Sequence, residues 1–304
     1  MAVGFFVFSS LLFRLLIPFD ENADYHPYAF LRTYEYSLSR PFDDPFLKLI
    51  YNTFYYISYQ SKSFAIKAMY WTVFVICNSF FVFLMKDKNL ILYKKILFFS
   101  LYYFLFSYTL LRNGPSYVLV ALFFYYFLNS EKHVRKTKCL VASLAFHYSS
   151  LTILIINFLS SLKVKQIVIT FLIFSIVSFA IISGLDISFD LIVNKFNTYL
   201  NLTKQPKLFH IIWFYFICGV FMLSFIENRN LAMKKFNIWI FFCFLIMYYI
   251  NHVAGFRFSV YYLLYYLLMN PSNKLILNNK KLINIFSFLS IMYFIFSFFD
   301  THNR

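Results

Sequence analysis

Glycine is scarce in this chain, at five of 304 residues, where average usage would give roughly 20. Gly-rich phosphate loops and dinucleotide-binding fingerprints need several glycines at fixed spacing, and none appears. No motif here binds ATP or a nucleotide. No Gly-x-Ser-x-Gly elbow and no His-Glu-x-x-His pair is present either. So few glycines also disfavour a transporter built on small-residue helix packing and Gly-broken repeats. Charge is thin, at 13% of residues against about 25% in a soluble chain. The four cysteines, Cys77, Cys139, Cys218 and Cys243, fall in or at apolar runs, and none forms a Cys-x-x-Cys pair. Neither a zinc site nor a disulfide framework is supported. There is no internal repeat, long linker or low-complexity tail.

Apolar and aromatic surface is what the chain has in quantity. Hydrophobic residues make up 61% and aromatics 24%, with 45 Phe and 26 Tyr, and the mean hydropathy is +0.67. Apolar runs near ~20 residues recur along the whole length, enough for a helix to cross a bilayer. The expected fold class is all-α: a polytopic integral membrane protein of about nine to ten transmembrane helices. It reads as one integral domain, residues 1–304, because no polar stretch is long enough to bury its own core. The formal net charge is +16. The lysines and arginines sit in short clusters between apolar runs, the pattern of cytoplasmic loops. Membrane lipids, not nucleic acid, are the partners this charge implies. The N-terminus is apolar at once, without a basic n-region or an Ala-x-Ala site. Residues 1–18 therefore read as a retained first span and not as a removable signal.

Residues 19–46 are the most polar stretch and hold Asp20, Glu21, Asp24, Glu35, Asp43 and Asp44, half of all carboxylates. Such an acidic, Lys-free segment belongs outside. Residues 47–60 are apolar but short, and read as a helix along the membrane face. Together, 19–63 make an external loop with an interfacial helix. Residues 64–85 span, and Lys86-Asp87-Lys88 and Lys94-Lys95 then mark the cytoplasm. Residues 96–112 run outward and 116–129 return. Between them Arg112-Asn113-Gly114-Pro115-Ser116 interrupts the apolar run. Irregular backbone survives at membrane depth only under protein or water, and an ionisable residue there marks function. The segment from Glu131 to Lys138 is basic and cytoplasmic.

Topology forks at 139–161. A single span would put Lys163/Lys165, Arg229/Lys234/Lys235 and Lys274/Lys280/Lys281 outside. A re-entrant helical hairpin, turning back at His147–Ser150, puts all three inside, which the positive-inside bias favours. Residues 167–184 then run outward, and 185–207 form a second external loop with Asp186, Asp190, Lys195, Tyr199 and Lys204. Residues 208–226 return, 236–252 run outward, and Asn251 to Arg257 form an outer turn. Residues 258–271 return and 282–299 form a last span.

This arrangement gathers Arg112, Arg257 and His147 at the outer face, under the loops 19–46 and 185–207. Guanidinium binds phosphate oxygens bidentately and stays charged. Imidazole or a carboxylate can take a proton from a sugar hydroxyl. Taken alone, Arg14 near a span end reads as a headgroup anchor. His133 reads as solvated, and His210 and His252 as interfacial. His147, mid-segment, needs a partner, whether for a helix–helix hydrogen bond or for catalysis.

Four motifs in order carry a family resemblance. First come Arg14, Asp24-Tyr25…Tyr28 and Asp44-Pro45-Phe46. Then Leu111-Arg112-Asn113 ends a span, followed by a second span and the basic Glu131–Lys138. Next is Ala142-Ser143-Leu144-Ala145-Phe146-His147-Tyr148-Ser149. Last is Arg257-Phe258-Ser259-Val260-Tyr261-Tyr262. From about residue 14 to 271 the chain resembles the EpsG/Wzy-like polymerases of bacterial surface polysaccharides. Asn113 departs from the Gln usual after the central Arg, and Pro115 has no usual counterpart.

The resemblance implies a multi-pass protein of the bacterial cytoplasmic (inner) membrane, with its active site on the outer, periplasmic face. It implies glycosyl transfer between two polyprenyl-diphosphate-linked oligosaccharides, building a surface polysaccharide such as O antigen. Arg112 and Arg257 would clamp the diphosphate. His147 would be base or base-orienter, with Asp24 and Asp43 as further base candidates. Arg14, Asp24, Tyr25, Asp43, Asn113 and Tyr199 would bind substrate. No cofactor and no metal is implied, and a flippase and a chain-length regulator are the expected protein partners.

Three other classes stand beside it: a flippase for the same lipid-linked oligosaccharide, a membrane acyltransferase modifying it, and a non-catalytic scaffold of the export complex. A flippase would need two comparable halves and charges spread through a central cavity.

Overall fold

The computed structural model describes residues 2–17, 44–110, 113–129, 133–163, 166, 208–227 and 231–269. Asp24, Tyr25, Asp43, Arg112 and Tyr199 lie outside these residues. So do the loop 185–207 and the expected spans 167–184 and 282–299. Every element among the described residues is helical, as the all-α expectation requires. In chain order they are α1 (Ala2–Leu16), α2 (Pro45–Ile57), α3 (Lys62–Lys86), α4 (Leu92–Phe104), α5 (Asn113–Leu128), α6 (His133–Phe146), α7 (Leu151–Ser161), α8 (Leu208–Glu227), α9 (Leu231–Ile250) and α10 (His252–Leu268). A π turn, Leu105–Thr109, continues α4, and a 3-10 turn, Tyr148–Ser150, joins α6 to α7. Of these helices, α3 and α9 are long and apolar enough to cross a membrane. Shorter apolar helices are Val3–Leu16, Asn113–Leu128, Leu151–Ser161 and His210–Ile226.

The chain divides into two compact units, Met1–Leu151 with Leu264–Arg304, and Thr152–Leu263. In the first, α2 and α3 form a helical hairpin. The connection Ser58–Ser61 is short, which makes its two helices antiparallel neighbours. Tyr59 and Gln60 turn the chain with φ of 53° and 69°. Ser61 then caps α3, its hydroxyl accepting from the Phe64 N–H. α2 buries Leu47 and Tyr51, one turn apart, and the Phe54 and Phe64 rings meet at 6.4 Å.

The helices of this unit sort into two ends. At one, Lys95 Nζ donates to the Met85 carbonyl at 3.4 Å and to that of Asp87, tying the start of α4 to the end of α3. The Tyr125 hydroxyl, near the end of α5, donates to Asp87 Oδ1 at 3.0 Å. Lys94 is fully buried. Its ammonium donates to the Tyr266 carbonyl at 2.9 Å and to that of Met269, and lies 4.5 Å from the Tyr266 ring centroid. A helix leaves its last carbonyls without intrahelical donors and carries partial negative charge there. The lysine satisfies both needs at the C-terminus of α10. The starts of α4 and the ends of α3, α5 and α10 thus share one end.

At the other end meet α1's last turns, the π turn, the start of α5, the end of α6 and the start of α2. Between the ends runs an aromatic layer: Phe81 packs on Phe98, Phe99 and Tyr103. Tyr102, Phe106 and Tyr117 stack in sequence.

In the second unit, neutral polar groups bond across helices. Trp213 Nε1 donates to Ser259 Oγ at 2.8 Å. Asn237 Nδ2 donates to Ser224 Oγ at 2.8 Å, and the Tyr262 hydroxyl donates to Asn237 Oδ1 at 3.0 Å. The expected outer turn Asn251–Arg257 is corrected here: α10 begins at His252. The Asn251 carboxamide caps it, accepting from Val253 N–H at 2.8 Å and Ala254 N–H at 3.1 Å. Chain reversal therefore falls at Asn251, between the last residue of α9 and the first of α10. Gly255 makes that possible, since a Cβ there would stand 2.4 Å from Tyr248 Cα.

Candidate active site

The polar end of the first unit is built from helix termini. α5 begins at Asn113, so the polar break predicted at 112–116 is narrower than the sequence implies. Gly114, Pro115 and Ser116 are already helical. Proline is tolerated in a first turn, where its missing N–H would have no partner. Gly114 lets α5 close on the π turn: a Cβ there would lie 2.8 Å from the Phe106 carbonyl oxygen and 3.4 Å from Cys77 Sγ. Ser116, fully buried, donates to the Ser143 carbonyl of α6 at 3.2 Å. These small residues bring the start of α5 beside the last turn of α6.

Immediately beyond, α6 stops at His147. Its N–H still reaches the Ser143 carbonyl at 2.9 Å, and its own carbonyl accepts from Ser150 N–H at 3.3 Å and Ser150 Oγ at 2.9 Å. The break expected at His147–Ser150 is where the helix gives way to a 3-10 turn. Its backbone groups are satisfied locally, as burial demands.

The imidazole meets Asp44, a residue present in the Asp-Pro-Phe motif but not among the expected site residues. His147 Nδ1 lies 3.3 Å from Asp44 Oδ1, with the two side chains 15% and 8% exposed. Phe46 and Phe146 close over the same junction, ring centroids 5.3 Å apart. Asp44 holds the N-cap position of α2, yet its side chain makes no cap hydrogen bond, and its backbone is left-handed at φ 49°, ψ 55°. An Asp cap is ordinarily worth about 1 kcal/mol, and a left-handed L-residue costs roughly 1–2 kcal/mol. The first is forgone and the second incurred where the carboxylate faces the histidine. The sequence signal was available, because an Asp before Pro-Phe reads as a helix start. Its partner, far along the chain, was not.

Arg14 lies at the same end but does not run out along its helix as an anchor. It is 2% exposed. Its Nη2 donates to the Ile17 carbonyl at 2.8 Å, and the guanidinium carbon lies 5.4 Å from the Tyr108 ring centroid. Around it the Tyr108 hydroxyl donates to the Ser10 carbonyl at 2.9 Å, and the Tyr103 hydroxyl to Ser10 Oγ at 2.5 Å. Tyr108 belongs to the π turn, whose wider winding carries the Leu110 N–H to the Leu105 carbonyl at 2.9 Å. Such turns recur at functional sites. Leu111 and Arg112 follow it, outside the described residues, and Asn113 resumes the helix.

The first unit thus brings Arg14, Asn113 and His147 to one end and adds Asp44. Arg257 belongs to the second unit, exposed on α10, two residues before Ser259. In that unit His210 and His252 pair edge to face at 4.9 Å, and the Tyr248 hydroxyl donates to the His210 carbonyl at 3.1 Å. Among the described residues, no group of three or more His, Cys, Asp or Glu side chains could hold a metal ion.

A His–carboxylate pair is equipped to accept a proton, and an arginine at the same end of the unit to hold an anion. Comparison with curated proteins finds no match, and neither does comparison with solved structures. A family model described as the EpsG family matches residues 3–304, all but the first two residues, and the chain belongs to the EpsG family.

Proposed function

We propose that this chain is a membrane glycosyltransferase that joins polyprenyl-diphosphate-linked oligosaccharide repeat units into a surface polysaccharide such as O antigen. Family membership supports the class of reaction. The observation that carries the chemistry is the Asp44–His147 pair, 3.3 Å apart, at the same end of the first unit as buried Arg14.

The membrane setting fits the exposed apolar side chains: on α1 alone Phe5, Phe8, Leu15 and Leu16 are each about two-thirds exposed or more. A soluble surface rarely shows so contiguous a patch. Sorting of the helix ends fits the hairpin topology. Lys94 and the C-terminus of α10 share an end, as they do if 139–161 turns back at His147. A single span there would set α10 running the other way. Basic residues at the Lys94 end make it cytoplasmic, which leaves the His147 end facing outward, at the periplasmic side of the cytoplasmic membrane. Tyr108 packs on Phe74 at 5.5 Å, midway along α3. At 1.5 Å per residue the site then lies about 18 Å from the Lys86 end, sunk beneath the α2–α3 hairpin. Polar groups at that depth are costly unless used.

In the reaction, a hydroxyl of one oligosaccharide attacks the anomeric carbon of the other. Its proton passes to His147. The anomeric C–O bond breaks, and its electron pair leaves with polyprenyl diphosphate. Arg112 and Arg257 bind the diphosphate and offset its charge. Arg14, Asn113, Asp24, Tyr25, Asp43 and Tyr199 bind and orient the substrates. A flippase delivers the lipid-linked units and a chain-length regulator sets the extent of polymerisation. The reaction needs no metal or cofactor.

The test is the sugar ladder of cells carrying His147→Ala, Arg112→Lys or Arg257→Lys. A polymerase defect leaves a single repeat unit on its carrier. A full ladder in all three variants would overturn the reading, and loss of every unit would indicate a flippase. The His–Asp pair could equally activate a hydroxyl for acyl transfer; in that case the ladder stays intact and loses only its acyl groups.

A further inference from the structure

Resting on His147 as the proton acceptor, we propose that Asp44 is its positioning residue. The carboxylate holds the imidazole with its proton on Nδ1, so that Nε2 is the unprotonated nitrogen that meets the acceptor hydroxyl.

Three observations converge on this. The first is the approach itself: Nδ1, not Nε2, faces Asp44 Oδ1 at 3.3 Å, between side chains 15% and 8% exposed. At this separation the two atoms do not form a hydrogen bond with each other, and a charge-assisted bond is shorter, about 2.7–2.9 Å. Catalytic hydrogen bonds are often long without substrate and tighten in the complex.

The second is the conduct of Asp44. It stands at the N-cap of α2, where an Asp oxygen ordinarily accepts from the helix's first N–H groups. It makes no such bond, and its backbone takes φ 49°. Its own helix gains nothing from either choice. With them, the carboxylate faces His147. The burial of Leu47 and Tyr51 on α2, with the contact of Phe46 on Phe146, fixes the start of α2 against the end of α6.

The third is the fixed backbone of His147. Its N–H and carbonyl are both bonded, to Ser143 and Ser150. With the main chain held, the direction in which each ring nitrogen points is set by side-chain rotation. A carboxylate on Nδ1 settles that rotation. It also stabilises the imidazolium formed when the hydroxyl proton arrives on Nε2, as the new bond to the anomeric carbon forms and the diphosphate departs. Asp44 stays ionised throughout and never touches the sugar.

The tautomer can be read without any substrate. The full chain, labelled with nitrogen-15 in its six histidines and held in detergent micelles, gives nitrogen shifts that separate Nδ1–H from Nε2–H imidazole. Subtracting the spectrum of His147→Ala assigns the signal. The expected result is Nδ1–H in the parent chain and its loss in Asp44→Asn, with polymer formation falling by as much as, and no more than, the roughly 10²–10⁴-fold expected of His147→Ala. Asp44→Gly guards against misfolding, since glycine accepts a left-handed φ freely and caps a helix tolerably. It should fold as well as the parent and still polymerise poorly. In a His147→Ala background, Asp44→Asn should cost nothing further. An unchanged His147 signal in Asp44→Asn overturns the proposal, and so do additive losses in the double variant. A full ladder in His147→Ala would instead sink the assignment of the base, while the nitrogen shifts would still decide whether Asp44 orients the ring.

Discussion

Both units of this chain bury polar side chains, but of different kinds. In the second, apart from His252, the buried side chains that bond across helices are neutral: Ser224, Asn237 and Tyr262 form one network, and Trp213 and Ser259 form a pair. In the first, ionisable groups are buried beside neutral ones such as Ser116 and Ser143. Arg14, Lys94 and Asp44 are buried, His147 nearly so, and the backbone around them is irregular: a left-handed Asp44, a π turn and a helix broken at His147. A neutral, satisfied network fixes how helices register and asks little of the backbone. A charged group in the same setting is expensive, and strained or irregular backbone persists only where surrounding structure holds it. We read the contrast as a division of labour: the charged, irregular end of the first unit carries the proposed proton transfer, the neutral network of the second sets helix registry, and the second unit contributes Arg257 to the proposed site.

The largest effect should come from His147→Ala. Removing a general base lowers the rate by typically ~10²–10⁴-fold, with the amount of folded protein in the membrane unchanged. The ladder, normalised to that amount by immunoblot, checks it. Asn237→Leu in the second unit should do the reverse, lowering the amount of protein and leaving the ladder per molecule alone. If Asn237→Leu abolished polymer at normal protein levels, the division of labour would be wrong.

Gly255→Ala comes next. The added Cβ would stand 2.4 Å from Tyr248 Cα, a backbone atom that cannot swing aside, so α9 and α10 must part. Overpacking of this kind costs about 1–3 kcal/mol or more. Gly219→Ala, with nothing within 4 Å of its added carbon, is the matched control. The unfolding midpoint of the detergent-solubilised chain should fall for the first and hold for the second. Lys94→Met should act more mildly, by about 1–2 kcal/mol, since it keeps the apolar stem and strands the Tyr266 and Met269 carbonyls. It tests whether the first unit's ionisable groups divide by end, with Lys94 structural and His147 chemical. A loss of polymer without loss of stability would break that division.

Much of the scaffold was legible because hydropathy reads helix lengths well. The run 64–85 became Lys62–Lys86, and 208–226 became Leu208–Glu227. The break at His147 was legible as a polar interruption in an apolar segment. Boundaries set by one side chain were not. The Asn251 carboxamide starts α10 at His252, and apolar periodicity has no sight of a cap. The burial of Arg14 depended on Tyr108 swinging under it from a π turn, which alters the winding of α4 without altering its hydropathy. Asp44 was legible as a helix start, but its carboxylate's target required knowing that α2 doubles back along α3.

Tyr262→Phe should have the smallest effect, and it probes the neutral side of the contrast most directly. The hydroxyl donates to Asn237 Oδ1 at 3.0 Å and shares a 2.8 Å contact with Ser224 Oγ. Phenylalanine keeps the ring, which packs on Phe241 at 5.9 Å, and removes only the oxygen. Interhelical hydrogen bonds in membrane proteins average about 0.6 kcal/mol and reach ~1.7. Ser224 keeps its own bond to the Phe221 carbonyl at 2.8 Å and still accepts from Asn237, so only Asn237 Oδ1 loses a donor. The expected fall in stability is therefore about 0.6–1 kcal/mol, with polymer length unchanged. A shift of polymer length at unchanged stability would mean that this hydroxyl reaches the reaction, and the neutral network would have to be counted as part of the site.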